Sequence, residues 1–491
     1  MNILKKTPAY MTDVYLCLIT FLLPLVFNNG YLNISETKSR CFLVLSAVMI
    51  SLLLIYLAVN TAINKRINYK PILLDLSVAL FAISNLLSAT FAKYDADVWL
   101  GKDSRMQGAI IIVIYAVVYF IISNNYGSKD SFISWMLLSF SIVSLVAILN
   151  AANIDVLGMQ PALLNNQTDD FITTIGNINF FGAYVSLIFP VVIVLYCNST
   201  EEIAKWHYTA ALVLGTFAAV LTSSESFVIG FVVFVVVYLL FCLKKPDMLK
   251  RFLISLAIII PVASIFSNVI KPAINSVYIT ADLMRILLHP ILAVAITIVC
   301  VGLAICVNKK WFNLMTFKWV YVIMLITAVL TLTVMFVYAN INSLGHLDKY
   351  FKITDQWGTG RGMVYRKCFE VMDNFTLKEW LVGIGPESLQ NALNDVGTAY
   401  VDQAHNEYLQ FLITTGIFGA ASYLFMMGAT VIVVVKEMKD NVISLALFMG
   451  LVAYFAQAMF NIAQPFTTPL VYIFIAVIAS KYKNRIKERS K

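Results

Sequence analysis

The segment DQAHNEYLQFLITTGIFGA, residues 402–420, places a histidine where a polar stretch turns into a hydrophobic run. His405 is one of only four histidines in the chain, and Asn406 is a suitable N-cap for a helix that begins there. The positive end of a helix dipole favours a neutral imidazole, which can accept a proton from a hydroxyl. The free amides of that helix end can hold a phosphate oxygen. A capping or interfacial histidine without a catalytic role fits the same residues.

Three arginines are candidates for binding an anion. Arg361 and Arg366 lie in TGRGMVYRKCFEVMDNF, residues 359–375, and Arg105 lies in the polar stretch 92–107. The guanidinium group offers a fixed fork of donors that suits phosphate. Five residues along a helix separate Arg361 from Arg366 by about 140°, so both face one ligand only if Arg361 precedes the helix. Each arginine also suits a plain interfacial role, contacting lipid headgroups or flanking a span.

The composition shows what must position these residues. The chain has 491 residues, of which 60% are hydrophobic and 13% are charged, and apolar runs of membrane-spanning length recur along it. This excludes a soluble globular protein and predicts an all-α, polytopic integral membrane protein. The net charge of +8 comes from short basic clusters between apolar runs, which excludes a nucleic-acid partner. No CxxC pattern or other metal-ligand spacing is present in the sequence, so we expect no metal.

The apolar runs predict about 14 transmembrane helices. They lie near 13–28, 40–59, 72–91, 108–123, 131–149, 177–197, 207–223, 226–243, 251–268, 285–307, 317–338, 407–435, 442–461 and 466–480. The even number places both termini on one side, and the positive-inside rule makes that side cytoplasmic. The predicted organisation is N-terminal transmembrane helices (1–100), a transmembrane core (101–338), a large external loop (339–406), C-terminal transmembrane helices (407–480) and a basic cytoplasmic tail (481–491).

The external loop 339–406 is too long for a simple connection, and we expect it to be folded and functional. Its stretch 362–375 has apolar residues at helical spacing: Val364, Cys368, Val371 and Phe375. This predicts a short amphipathic helix that lies along the membrane surface. The sequence GIGPES, residues 383–388, predicts a turn after it.

Four stretches, taken together and in order, resemble the bacterial O-antigen ligases and related polysaccharide polymerases. The strongest is AHNEYLQFLITTGIFGA, with its His-Asn pair followed by a Gly-x-x-Gly step. The second, upstream of it, is a single element in which TGRGMVYRKCFEVMDNF is followed by LVGIGPES. The stretches GNINFFGAYVSLIFP, 176–190, and GKDSRMQGAIIIVIYAVVYF, 101–120, are also similar to the family. The resemblance covers roughly residues 95 to 465 and is strongest in 355–420.

The resemblance implies a membrane glycosyltransferase of cell-surface polysaccharide biosynthesis in the cytoplasmic (inner) membrane. Its donor would be a polyprenyl-diphosphate-linked glycan, such as one on undecaprenyl diphosphate, and its acceptor a glycan, lipid or protein at the outer face, with no cofactor and no metal. On the family pattern His405 is the base or acceptor-positioning residue and Arg361 contacts the diphosphate. Arg366, Arg105 and Asn406 are the expected substrate-binding residues. Glycan ligase and repeat-unit polymerase both fit the sequence.

One departure from the family pattern concerns the donor. Glu225, in LTSSESFVIG, stands where an arginine is expected to contact the donor phosphates, and a carboxylate repels a diphosphate. Either another cation such as Arg105 or Arg285 takes this role, or the donor is held differently, or the alignment is offset. A transporter or flippase of lipid-linked glycan is the alternative from another class, but such proteins place charges near the membrane midplane, where this sequence has few.

Overall fold

A computed structural model describes residues 2–64, 71–94, 97–102, 105–127, 129–163, 167–199, 201–278, 280–311, 313–398, 401–437 and 441–489. The regular secondary structure of the described residues is helical, apart from one antiparallel pair of short strands, β1 (Phe171–Ile172) and β2 (Gly176–Asn177). The first half contains α1 (Asn2–Leu25), α2 (Ile34–Asn64), α3 (Leu73–Thr90), α4 (Ala109–Asn125), α5 (Ser131–Ala151), α6 (Ile178–Asn198), α7 (Glu202–Leu221), α8 (Glu225–Cys242), α9 (Pro246–Ile265) and α10 (Lys271–Ala273).

The second half contains α11 (Asp282–Leu287), α12 (Pro290–Asn308), α13 (Leu314–Ile341), α14 (Asp348–Phe351), α15 (Trp357–Asp373), α16 (Leu377–Val382), α17 (Leu389–Asp395), α18 (Glu407–Glu437), α19 (Val442–Gln457) and α20 (Thr468–Arg489). Eleven of the described helices are long and apolar enough to cross a membrane. The prediction of an all-α polytopic membrane protein is therefore confirmed. Each of the fourteen predicted runs overlaps a helix, but a count of fourteen spans stays a prediction.

The core of the helix bundle is formed around α6 and α19, the most buried of the membrane-spanning helices. Glycines let helices approach closely here, because a Cβ at Gly450 of α19 would lie 2.2 Å from the carbonyl oxygen of Leu187 in α6. Likewise, a Cβ at Gly230 of α8 would lie 2.6 Å from the oxygen of Ala453 in α19. At the periphery, the apolar window of α13 contains no buried residue, so this helix presents its surface to the surrounding medium.

One end of the bundle is held by ion pairs to α20. Lys481 pairs with Asp130 at 2.9 Å, Lys483 with Asp75 at 2.9 Å, and Arg485 with Glu437 at 3.7 Å. The structure continues α20 as far as Arg489, so a helix covers most of the segment that we predicted as a basic tail. The last residues of α4 and α18 contact α20 here, since Lys483 donates to Asn124 and Arg485 pairs with Glu437. The residues before α4 and α18 therefore lie at the opposite end of the bundle.

The predicted external loop 339–406 is folded and contains the helices α14 to α17. The predicted amphipathic helix is present as α15, and Val364, Cys368 and Val371 are buried. Its apolar face does not lie open for lipid. It packs in a small separate core with Leu389 and Leu393 of α17 and with Ile413 of α18, because the loop supplies enough apolar side chains to cover that face itself.

Candidate functional site

The helix that follows His405 is broken inside the predicted membrane segment. Gly416 of α18 has a φ of 67°, so the residues from Glu407 to Thr415 form a separate half-helix. The carbonyl oxygens freed by the break accept hydrogen bonds from the GIGPES turn: Ile384 N–H donates to Ile413 at 3.1 Å and Gly385 N–H to Thr414 at 3.0 Å. The predicted turn at 383–388 is confirmed, and it fixes the half-helix that carries His405 at its start.

Asn406 caps this half-helix as the sequence predicted. Its Oδ1 accepts hydrogen bonds from the backbone N–H groups of Tyr408 at 3.0 Å and Leu409 at 3.1 Å. The side-chain oxygen of Asn406 is therefore engaged in the helix, which gives this residue a positioning role. The cap fixes the chain one residue after His405, which has a left-handed φ of 50°.

His405 is neutral over a wide pH range. Burial is the largest of the causes that lower the pKa of its imidazole to about 4; the positive charges of Arg361 and Arg105 act in the same direction, and Asp402 acts in the opposite one. The sequence predicted a neutral imidazole from the helix dipole; in the structure the largest cause is burial. A neutral imidazole next to a cavity can accept a proton from a bound hydroxyl.

Arg361 lies close enough to His405 to influence its pKa, and it stands at the start of the regular part of α15. Gly358, Thr359 and Gly360 have positive φ angles of 58°, 59° and 93°, so the regular helix begins only after them. The Arg361 Nη1 donates to the Gly358 carbonyl at 3.0 Å, while its Nε is buried and has no hydrogen-bond partner among the described residues. Burial lowers the pKa of this guanidinium. A buried cation with an unused donor suits an anionic group of a substrate.

Glu225, where the family pattern predicts an arginine, is an electrostatic neighbour of Arg361. Its negative charge raises the pKa of the Arg361 guanidinium and so favours the charged form. No ion pair within 4 Å joins the two side chains. The Glu225 carboxylate thus favours the charged form of Arg361, and it does not supply the positive charge that the family pattern predicts at position 225.

Arg366 is directed elsewhere. Its guanidinium makes a bidentate pair with Asp355, with Nε to Oδ1 at 3.0 Å and Nη2 to Oδ2 at 2.8 Å. Both side chains are more than half exposed. Because five helical residues turn the chain by about 140°, the side chains of Arg366 and Arg361 lie on different faces of α15. Arg285, the other cation considered for the donor, is exposed and lies 3.7 Å from Asp282, which also pairs with Lys349.

Arg105 and His405 line one cavity of about 520 Å³. The Arg105 Nε donates to Asp402 Oδ2 at 2.7 Å, and its guanidinium lies over the ring of Phe180 at 5.8 Å. The cavity lies between the start of α2, the start of α6 and the segment before α18. The structure thus brings together His405, Arg105, Asn406 and Arg361, and separates Arg366 from them.

Two acidic residues of this region were missed by sequence reasoning. Asp402 pairs with Arg105, and Glu387 is buried in the GIGPES turn, where Gln403 Nε2 donates to its Oε2 at 3.4 Å. Burial raises the pKa of Glu387 to about 7. The position of Glu387 inside the Gly-Pro turn could have identified it from the sequence. No sequence pattern near Asp402 indicated that it pairs with Arg105.

The described residues contain no group of three or more His, Cys, Asp or Glu side chains placed to hold a metal ion. The arrangement offers a neutral base, a buried guanidinium and a polar cavity. A family model for O-antigen ligase matches residues 289–424, which include Arg361 and His405. A comparison with curated proteins found no match.

Proposed function

Because the match over residues 289–424 supports the O-antigen ligase/polymerase superfamily, we propose that this chain is a membrane glycosyltransferase that uses a polyprenyl-diphosphate-linked glycan. The single observation that carries the proposal is the pairing of a neutral His405, on the wall of a cavity, with the nearby Arg361, whose buried Nε has no partner among the described residues. The acceptor is a hydroxyl group of a glycan, lipid or protein at the outer face of the cytoplasmic membrane.

The proposed reaction is a displacement at the anomeric carbon of the donor. The acceptor oxygen forms a bond to that carbon as its proton passes to His405. The bond between the anomeric carbon and the diphosphate oxygen breaks, and the carrier diphosphate leaves with the bonding electron pair. Arg361 stabilises the negative charge on the leaving group, since a guanidinium in a partly desolvated site interacts strongly with phosphate.

The arrangement of the helices supports an external site. The cationic residues Lys481, Lys483 and Arg485 lie at the end of the bundle opposite His405, and basic residues mark the cytoplasmic side of a membrane protein. With that orientation, both termini are cytoplasmic and the loop 339–406 is outside. Ligase and polymerase perform the same transfer and differ in the acceptor.

The experiment compares variants in cells that depend on this chain for their surface glycan. We expect His405→Ala and Arg361→Ala to accumulate the lipid-linked glycan and to lose the finished product. His346→Ala is the matched control, because His346 is an exposed histidine of the same loop. Normal product from both site variants at normal expression would refute the proposal. A reporter fused at Asn391 tests the orientation separately, and a cytoplasmic signal there would exclude an external site.

A further inference from the structure

The cavity beside His405 is lined mainly by uncharged polar and aromatic side chains. Four asparagines line it. The amide of Asn461 donates to the Asn179 carbonyl oxygen at 2.8 Å and to Gln457 Oε1 at 3.0 Å, whereas the side-chain amides of Asn33, Asn177 and Asn179 donate no hydrogen bond to another described residue. The oxygens of two are engaged, since Asn177 accepts from the Asn179 N–H at 2.9 Å and Asn179 accepts from the Ser224 hydroxyl at 3.0 Å. The amide hydrogens of Asn33, Asn177 and Asn179 therefore remain available to a ligand.

The charges that line the cavity already have partners. Arg105 pairs with Asp402, and the two side chains are only 21% and 27% exposed. Glu36 pairs with Arg40, one helical turn along α2. Lys38 does not line the cavity; it is fully buried, and its Nζ donates to the carbonyl oxygens of Leu23 and Pro24 at 3.0 and 2.7 Å. The cavity wall thus carries little uncompensated charge, which disfavours a diphosphate as its ligand.

Arg361, in contrast to the cavity wall, is a positive charge that no ion pair compensates among the described residues. It does not line this cavity, and its buried Nε has no partner among the described residues. His405 lies on the cavity wall and is also close enough to Arg361 to feel its charge. The imidazole therefore borders a neutral, amide-rich cavity and is within electrostatic range of a cationic group.

We propose that this cavity binds the acceptor glycan through an uncharged part of the saccharide, while the carrier diphosphate binds at Arg361 outside it. The inference rests on the proposed function and adds that the acceptor and the carrier diphosphate bind at two separate parts of the site. The hydroxyl groups of a sugar accept hydrogen bonds from the amides of Asn33, Asn177 and Asn179. The rings of Phe171 and Phe180 give its apolar faces a surface to pack on. A volume of about 520 Å³ is within the range of ligand pockets and admits a small oligosaccharide.

The test measures transfer by the full-length protein in lipid nanodiscs. The donor is the lipid-linked glycan purified from the source cells, and the acceptor is the envelope extract of a strain that lacks this chain. We expect Asn179→Ala and Phe180→Ala each to raise the apparent KM for the acceptor extract about tenfold, because each removes one contact worth roughly 1–1.5 kcal/mol. The KM for the donor should change by less than twofold. Arg361→Ala should instead raise the KM for the donor and leave the KM for the acceptor extract nearly unchanged.

Two further variants control for a loss of folded protein in the Asn179 and Phe180 variants. Asn33→Ala removes an exposed amide at the start of α2 and is not expected to disturb the fold, so it should reproduce the acceptor effect. Phe369→Ala is the matched aromatic control, because Phe369 is 55% exposed and does not line the cavity.

The outcomes separate this inference from the proposed function. If the wild-type protein transfers no glycan, the proposed function itself fails. Transfer by the wild type with unchanged acceptor KM in the Asn33, Asn179 and Phe180 variants overturns only the assignment of the cavity. A raised donor KM in those variants would instead assign the cavity to the diphosphate and would also overturn the inference.

Discussion

Arg105 Nε donates a hydrogen bond to Asp402 Oδ2 at 2.7 Å, although 297 positions separate the two residues in the sequence. This hydrogen bond joins the segment before α4 to the segment that contains His405. The two charges act on His405 in opposite directions, since Arg105 lowers the pKa of the imidazole and Asp402 raises it. Burial and Arg361 therefore keep the imidazole neutral.

The two arginines of α15 should differ sharply in their effect on activity. We expect Arg361→Ala to lower the transfer rate roughly 100- to 1,000-fold, as the loss of a charge-stabilising group at the reacting centre does. Arg366→Ala should change it less than about threefold, because its exposed pair with Asp355 contributes little. Steady-state transfer assays on both purified variants check this, and equal losses in the two variants would contradict it.

The acidic limb of the pH–rate profile should lie far below the ordinary pKa of histidine. With the pKa of His405 at about 4, the free enzyme keeps its base neutral when the pH falls through 6.5, so kcat/KM should decline only as the pH approaches 4. The fold disfavours the protonated form, so the stability contributed by this group also declines as the pH falls from 6.5 toward 4.

Variants of the neighbouring charges test the cause of this shift. Arg361→Gln removes a charge that lowers the pKa of His405, so the acidic limb of its residual activity should move to higher pH. Asp402→Asn should move it to lower pH, because Asp402 raises that pKa. A limb that stays in place in both variants would show that another group controls it.

The break in α18 should not tolerate a side chain. A Cβ at Gly416 would lie 2.4 Å from the Leu381 carbonyl oxygen, and its φ of 67° disfavours alanine as well. We expect Gly416→Ala to lower the yield of folded protein, measured by size-exclusion chromatography in detergent. Gly428→Ala in the same helix is the control, since a Cβ there meets nothing within 4 Å. Equal yields from the two variants would argue against the observed break.

The ion pair between Asp75 and Lys483 should contribute to stability at the other end of the bundle. Both side chains are at most 4% exposed, and Tyr119 also donates to Asp75 at 2.7 Å. Asp75→Asn removes the carboxylate that compensates the buried ammonium, which costs about 3–5 kcal/mol in comparable sites. Thermal unfolding in detergent measures the loss. Asp355→Asn, in an exposed pair, should leave the unfolding temperature nearly unchanged.

Local sequence patterns predicted much of this protein. Long apolar runs require helices in a membrane, so the all-α class followed from composition alone. The Asn406 cap and the GIGPES turn were predictable because each depends on a few consecutive residues. The resemblance added roles for His405 and Arg361, which the geometry supports and which mutation must test.

Only the tertiary structure decided which side chains meet. The sequence could not show that the apolar face of α15 is covered by protein, that Arg366 pairs with Asp355, or that Asp402 pairs with Arg105. It also could not show that the charge of Glu225 acts on Arg361 or that burial is the main cause that lowers the pKa of His405. These properties arise from contacts between distant segments, and charge, burial and pKa depend on the whole surroundings of a group rather than on its neighbours along the chain.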